Sequence, residues 1–278
     1  MKIVITGSST GIGRAIATDL LSLGHEVWGV ARRDQSDLKK KYSSTFVASQ
    51  IDVSDWNQVE QLQQEVKKRW VSIDGFINCA GFQGEIGSFS KTDSQKWSDT
   101  VIKNISMTFF PLRAFHSLLL RKNEPAKVIC FSGGGATQPR PNFSAYAAAK
   151  AGIVRLVETI AEEWKDDQIE INAIAPGRID TAMMDEIIAK GPDLVGAKEY
   201  EAAQKQKESK EDALSSVLTL VRWLLSSESN GITGKLISAQ WDQWEKWPQH
   251  LSELQTTDLY TLRRITGRER GTTWGDKS

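Results

Sequence analysis

Ile3-Val4-Ile5-Thr6-Gly7-Ser8-Ser9-Thr10-Gly11-Ile12-Gly13 reads as a strand, a glycine turn and the start of a helix. The apolar run from Ile3 to Thr6 is stopped by Gly7. From Gly13 to Leu23, Ile16, Leu20 and Leu23 recur at helical intervals, and Gly24 closes the helix. Glycines at this junction allow a tight turn and let the backbone approach a pyrophosphate closely. The helix N-terminus behind them offers unpaired N–H groups and a favourable dipole. Plain turns also use glycine, so the signal lies in strand, turn and helix occurring together.

Outward from this unit the same alternation continues. Val27 to Val30, Phe46 to Ile51, Ile73 to Cys79, Val128 to Phe131, Ile169 to Ile174 and Ile232 to Ser238 are short apolar runs with strand character. Trp56 to Trp70 carries Val59, Leu62 and Val66 on one helical face. Parallel neighbours need a crossover, so strands alternating with helices predict an α/β fold whose parallel sheet is covered on both faces. No internal repeat or low-complexity segment interrupts it.

Composition narrows the function classes. Lys plus Arg and Asp plus Glu number 35 each, which argues against a nucleic-acid binder that relies on bulk basic charge. Charged residues at 25% and apolar residues at 40% are ordinary globular usage, against disorder. No apolar run is long enough to span a membrane. The apolar run starts immediately after Met1-Lys2, with no room for a signal peptide, and predicts a reduced cytoplasmic protein. Two Cys and three His have no metal-ligand spacing, so no metal site is expected. His25 and His116 read as structural, and Cys79 and Cys130, on strands expected to be neighbours, read as buried thiols.

Further motifs follow in a fixed order: Asp52-Val53 after the third strand, Asn78-Cys79-Ala80-Gly81 after the fourth, and Asn104 in the next helix. Tyr146-Ala147-Ala148-Ala149-Lys150 and Pro176-Gly177-Arg178-Ile179-Asp180-Thr181-Ala182-Met183 complete the set. With T-G-x-x-x-G-x-G at the first turn, this ordered set resembles the short-chain dehydrogenase/reductase family over residues 1 to about 238. The resemblance implies a Rossmann-like, doubly wound parallel seven-stranded sheet with a C-terminal extension. It also implies a nicotinamide dinucleotide held by Gly7, Ser9, Thr10, Gly11, Ile12 and Gly13. Asp52 with Val53 would contact the adenine, and Asn78, Ala80 and Gly81 would line the adenosine side. Pro176, Gly177, Ile179 and Thr181 would hold the nicotinamide end. Asn78-Cys79 departs from the commoner Asn-Asn pair.

An acidic residue at the end of the second strand would bond a ribose 2′-hydroxyl and repel a 2′-phosphate. Here that strand runs into Arg32-Arg33, with no carboxylate before Asp34. Arginine forks suit phosphate, so NADP(H) is preferred over NAD(H). Arg14 is a weaker candidate for the same task.

Lys150 follows Tyr146 by four residues, so one helical face presents both. The resemblance implies that Tyr146 is the acid/base and that Lys150 holds the nicotinamide ribose. The lysine's charge, with that of the nicotinamide when oxidised, is expected to lower the phenol pKa toward working pH. Asn104 would hold a water linking Lys150 to solvent, or would simply pair with backbone. The family's substrate-orienting serine slot is Gly133 here, within Phe131-Ser132-Gly133-Gly134-Gly135. Ser132 is the expected replacement; Thr137, Ser144 or no hydroxyl at all are the alternatives.

The expected activity is interconversion of a carbonyl and a secondary alcohol by hydride transfer, on a sugar or another polar small molecule. A non-catalytic dinucleotide-binding regulator, or an epimerase or dehydratase on an activated sugar, is the alternative. The resemblance also implies a homodimer or homotetramer. Two regions stand outside the rhythm of a 1–238 catalytic domain. Residues 180–212 are rich in Lys, Glu, Ala and Gln and read as helices forming a lid, or as an ordinary solvated excursion. Residues 239–278 hold four of the ten tryptophans. Trp241, Trp244 and Trp247 recur every third residue, a stripe that either packs on the core or a second subunit, or closes a sugar pocket. Arg263, Arg264 and Arg268 would then meet phosphates of the substrate or carboxylates of a partner chain.

Overall fold

The computed structural model describes residues 1–121, 123–209, 212–272 and 274. Positions 210–211 of the first irregular region, and 273 and 275–278 of the second, lie outside the described residues. In chain order the elements are β1 (Lys2–Thr6), α1 (Gly11–Ser22), β2 (Glu26–Ala31), α2 (Ser36–Lys41), β3 (Phe46–Gln50), α3 (Trp56–Arg69), β4 (Gly75–Asn78) and α4 (Ser94–Leu119). Then come β5 (Ala126–Phe131), α5 (Ser144–Glu163), β6 (Ile169–Ala175), α6 (Ala182–Lys190), α7 (Pro192–Val195), α8 (Ala197–Glu208), α9 (Ala213–Leu225), β7 (Leu236–Ser238) and α10 (Leu251–Thr256). The strands form one seven-stranded sheet in the order β3-β2-β1-β4-β5-β6-β7, every neighbouring pair parallel. The chain reverses direction across the sheet between β1 and β4, which opens a crevice beyond their C-terminal ends.

Local chemistry sets the helices that build the two faces. Asp55 caps α3 by accepting from the amides of Asn57 and Gln58, and α3 buries Val59, Leu62 and Val66 as its periodicity predicts. Asp93 caps α4 through the Lys96 amide. One apolar layer packs α3, α4 and α5 onto the sheet through residues such as Phe115, Leu119 and Val157. The opposite layer joins α1 and α9 to the sheet, with Ile16, Leu20 and Leu224 fully enclosed. Burying a side chain of this size stabilises the fold by roughly 1.5–3 kcal/mol.

The sequence assigns β4 and β7 as longer than they are. Strand pairing covers Gly75–Asn78, and Leu236–Ser238 follows a turn in which Gly231 and Gly234 take positive φ. The tail resolves the tryptophan stripe by geometry. Trp244–His250 is a 3₁₀ helix, where residues three apart eclipse one another. Trp244 and Trp247 therefore share one face and enter the core, the first against Trp223 with ring centroids 5.2 Å apart, the second against Tyr260 at 4.2 Å. Trp241 precedes this helix and is 84% exposed. Two of the three tryptophans thus pack on the core rather than close a pocket. The chain then runs along the sheet edge, where the Leu236 amide donates to the Tyr260 carbonyl and covers part of the edge strand. Arg263 pairs with Asp258 and Glu269 of the tail itself.

Candidate active site

The turn after β1 behaves as its glycines require. Gly7 and Gly11 have φ of +69° and +56°. A Cβ on Gly13 would lie 2.5 Å from the Gly7 carbonyl oxygen, so only glycine lets α1 close onto the turn. Thr10, the N-cap of α1, makes no side-chain cap, which leaves the first amides open to an anion. A cavity of about 320 Å³ opens there. Its wall comes from Gly7 and residues 9–13, residues 30–33 at the end of β2, 51–53 after β3, 79–83 after β4, Met107, and the start of α6 from Thr181. A backbone cradle at a helix N-terminus, floored by glycine and walled by the ends of four strands, fits an elongated dinucleotide with its phosphates at α1.

At the β2 end, Arg32 and Arg33 stand at the rim. Arg33 donates to Thr10 Oγ1 at 3.3 Å, and Arg32 lies 3.9 Å from Asp52 with its side chain mostly in solvent. Asp34 is turned to the Ser36 amide and hydroxyl, which hold its carboxyl below the usual range. Arg14 forks onto Asp37, so its guanidinium is spent within the protein. Asp52 also accepts from the Ser54 amide and hydroxyl.

Several residues expected at the cofactor lie behind the wall instead. Asn78 accepts from the Thr6 hydroxyl at 2.7 Å and donates to the Thr108 hydroxyl at 3.0 Å, so its amide ties β1, β4 and α4 together. Cys79, Ala80 and Gly81 form the surface at that point. Pro176 offers its carbonyl to Gln240 of the tail, and Ile179 is enclosed in the core. Burial pushes the Cys79 thiol up, and takes that of Cys130 to about 12. Both are inert thiols at neutral pH.

The second half of the site centres on α5. Tyr146 and Lys150, one turn apart, are both buried. Lys150 Nζ donates to the Phe131 carbonyl at 2.8 Å and stands 5.6 Å from the Tyr146 ring centroid. Burial brings the ammonium down to about 8. The lysine's part in the expectation for the phenol is corrected. Burial raises Tyr146 to about 12, and the cation that works against this is Arg140, not Lys150. Lys150 donates to a carbonyl, while an apolar cluster of Ile86, Phe143, Met184, Ile187, Val195 and Ala203 packs with Tyr146. Met183 Sδ stands 3.9 Å from the hydroxyl.

Asn104 pairs with backbone on both sides. Its carboxamide donates to the carbonyls of Phe82 and Thr100 and accepts from the Phe82 amide, clamping the segment after β4 to α4. Its Oδ1 and Lys150 Nζ flank Gly81, at 3.3 and 3.5 Å from where a Cβ would lie. Among the candidate hydroxyls, Thr137 is exposed and Ser144 accepts from the Trp97 indole at 2.9 Å. Ser132 is buried, and its Oγ has no partner. None of Tyr146, Lys150, Ser132 and Asn104 lines the cavity itself.

Four residues not singled out in the sequence meet beside Tyr146. The Arg140 guanidinium lies 3.8 Å from the Phe143 ring centroid and 5.7 Å from that of Tyr146. It donates to Glu199 of α8 at 2.5 Å, and Arg178 donates to the other Glu199 oxygen at 3.2 Å. The Gln83 carboxamide, turned so that both its polar atoms are satisfied, accepts from Arg140 at 3.2 Å. Burial works to raise the Glu199 carboxyl, and the two arginines outweigh it and hold it below the usual range. No sequence spacing reveals such a cluster, since its members come from four separate loops and helices.

Among the described residues no group of three His, Cys, Asp or Glu could hold a metal ion, and no helix is long and apolar enough to cross a membrane. The family model described as short chain dehydrogenase matches residues 1–191. Glucose 1-dehydrogenase 2 of Bacillus subtilis is 28% identical over 83% of this chain and 90% of its own length. 3beta-Hydroxysteroid dehydrogenase 1 of Eggerthella lenta is 30% identical over 84% of this chain and 89% of its own. The solved structure of levodione reductase superposes with a TM-score of 0.74 at 25% identity, covering 89% of this chain and 97% of that one. These relatives are named as dehydrogenases and reductases, which does not favour a non-catalytic regulator, an epimerase or a dehydratase. The chain belongs to the short-chain dehydrogenase/reductase family and is an NAD(P)-dependent oxidoreductase of the class that interconverts carbonyls and alcohols.

Proposed function

We propose that this protein is an NADP(H)-dependent carbonyl reductase or secondary-alcohol dehydrogenase acting on a small polar molecule. The observation that carries this reading is the pairing of a phosphate cradle at α1 with a buried Tyr146 and Lys150 one turn apart on α5. A bound nicotinamide dinucleotide supplies the hydride. Gly7 and residues 9–13 hold its phosphates, Asp52 and Val53 the adenine, and Thr181 the nicotinamide end. Arg32 and Arg33 at the rim, with no carboxylate facing them from the end of β2, favour a 2′-phosphate over a bare ribose.

Tyr146 is the proton donor to the developing alkoxide. Its phenol, raised to about 12, is fully protonated at neutral pH, which suits the reductive direction. Lys150, anchored by the Phe131 carbonyl, supplies positive charge behind the ring and holds the ribose. Ser132, with a buried and unpartnered hydroxyl, orients the substrate oxygen. Asn104 acts as a positioning residue by fixing the segment of Gly81 and Phe82.

Residues 180–212 are a lid. Its helices bury Met184, Ile187, Val195 and Ala203 against Phe143 and Tyr146, so substrate entry requires them to move. The outer face of α4 exposes Ile102 and Phe109, two turns apart, a patch suited to a homodimer or homotetramer. Residues 1–238 act as the catalytic domain in the cytoplasm, and 239–278 are its C-terminal extension.

The test is to titrate the protein with NADPH and NADH by fluorescence, then follow cofactor oxidation with a panel of small carbonyls. Tighter NADPH binding with turnover of at least one carbonyl is expected. Equal affinity for the two cofactors contradicts the 2′-phosphate assignment, and binding without any turnover contradicts the catalytic one.

A further inference from the structure

The Arg140 cluster is the one strongly charged group near Tyr146 that the reading above leaves without a task. Arg140 is 14% exposed and Glu199 17%. A desolvated guanidinium needs an anion, and losing that anion is costly. The anion supplied is Glu199, which belongs to α8 of the lid. Arg140 itself follows β5, and Arg178 follows β6, on the sheet side of the pocket. Stacking on Phe143 and the contact to Gln83 fix the Arg140 fork independently of the lid.

Two consequences follow. Two arginines share one carboxylate, so the cluster carries one surplus positive charge beside the reacting phenol. Displacement of α8 that admits a substrate also takes Glu199 away and leaves the Arg140 fork without its anion. A planar, forked site vacated by a carboxylate is best refilled by another carboxylate.

We infer that Arg140 is the substrate-specificity residue, that it takes a carboxylate of a small oxo acid or hydroxy acid, and that Glu199 holds the place of that carboxylate while the lid is closed. The inference rests on Tyr146 being the proton donor of a carbonyl reductase. The 5.7 Å between the Arg140 guanidinium and the Tyr146 ring centre lets the carboxylate and the carbonyl of one small molecule reach both groups. No covalent step beyond the reduction already described is required. Arg178 then remains with whichever carboxylate is present.

Matched pairs separate the acid from its neutral form: acetoacetate against methyl acetoacetate, and 2-oxobutanoate against its amide. In the wild type, kcat/KM for each acid exceeds that for its partner by about tenfold or more, the scale of a charged hydrogen bond to a buried fork. In Arg140→Gln the acid-to-neutral ratio collapses toward one, and in Arg140→Lys, which keeps the charge without the fork, it is intermediate. Glu199→Gln removes the internal competitor and lowers KM for the acids. Equal rates for acid and ester in the wild type, or an unchanged ratio in Arg140→Gln, overturn the inference. Binding of malonate, which cannot be reduced, is measured calorimetrically in parallel on protein saturated with NADPH. Malonate binding that is lost in Arg140→Gln supports the anion site even if no carbonyl is turned over, an outcome that would sink the reductase reading alone. Absence of malonate binding to the wild type, or equal binding to both proteins, overturns the site whatever the turnover shows. NADPH affinity in each variant reports that it is folded.

Discussion

A Cβ placed on Gly133 would lie 2.6 Å from the hydroxyl oxygen of Tyr146, and 3.1 and 3.2 Å from its Cε1 and Cζ. The phenol therefore occupies the space that a side chain at position 133 would need. Gly133 has an ordinary backbone conformation, so the obstacle is volume and not φ. The missing serine of the family pattern and the placement of Tyr146 are one fact, since the glycine makes room for the ring.

From this it follows that Gly133→Ser does not restore a lost catalytic hydroxyl. It displaces the Tyr146 ring, costs about 1–3 kcal/mol of stability as overpacking does, and lowers kcat. Thermal denaturation and steady-state rates on the same preparation check it. A variant as stable as wild type with a higher kcat would show that the ring moves freely and that the slot accepts serine.

Ser132→Ala separates a working hydroxyl from an idle one. The Ser132 Oγ is buried with no protein partner, so removing it leaves stability unchanged or slightly improved. Loss of the substrate contact lowers kcat/KM by about 1–3 kcal/mol. The same loss in Thr137→Ala or Ser144→Ala, with Ser132→Ala silent, moves the role along the loop.

Arg32→Asp replaces a phosphate partner with a repelling carboxylate at the cavity rim. NADPH affinity falls and NADH affinity improves relative to it, by about one to two orders of magnitude in their ratio, as expected for loss of a charged hydrogen bond. Titrations with both cofactors read this directly, and an unchanged ratio removes Arg32 from the 2′-site.

Lys150 and Tyr146 make opposite demands on stability at high pH. Lys150 is at about 8 in the fold against an ordinary 10.5, so the unfolded chain holds more protons between those values and stability rises with pH across that window. Tyr146 is at about 12 against 10, so the fold holds the extra proton and stability falls from pH 10 upward. Lys150→Met makes the rise between pH 8 and 10 shallower. Urea unfolding at intervals of pH checks it, and parallel curves for the two proteins would show that the ammonium is not desolvated.

The fold was legible because the strand, glycine turn and helix at residues 3–23 and the ordered motifs after it are local signals. Phosphate binding by backbone amides needs no long-range partner to be recognised. What the sequence hid depends on contacts between distant segments. Asn78 reads as a cofactor contact and Asn104 as the holder of a water, and sequence alone did not reveal that Thr6, Thr108 and the Phe82 backbone are their partners in the fold. The polar composition of residues 180–212 hid that Met184, Ile187, Val195 and Ala203 would be buried against Tyr146. The tryptophan spacing of three carried a 3₁₀ helix, a geometry rarely long enough to be expected from sequence. Arg140 and Glu199 meet only when α8 folds back over α5.

Tyr146→Phe gives the most direct test of the central claim that this tyrosine protonates the reacting oxygen. The measurement is single-turnover oxidation of NADPH by the best carbonyl found in the panel, with NADPH affinity determined on the same protein. The rate should fall by about two to four orders of magnitude, the contribution of a positioned general acid, while NADPH affinity stays within experimental scatter because ring and packing are retained. A variant that keeps more than about a tenth of the wild-type rate contradicts the assignment, since a loss that small is below what a general acid contributes.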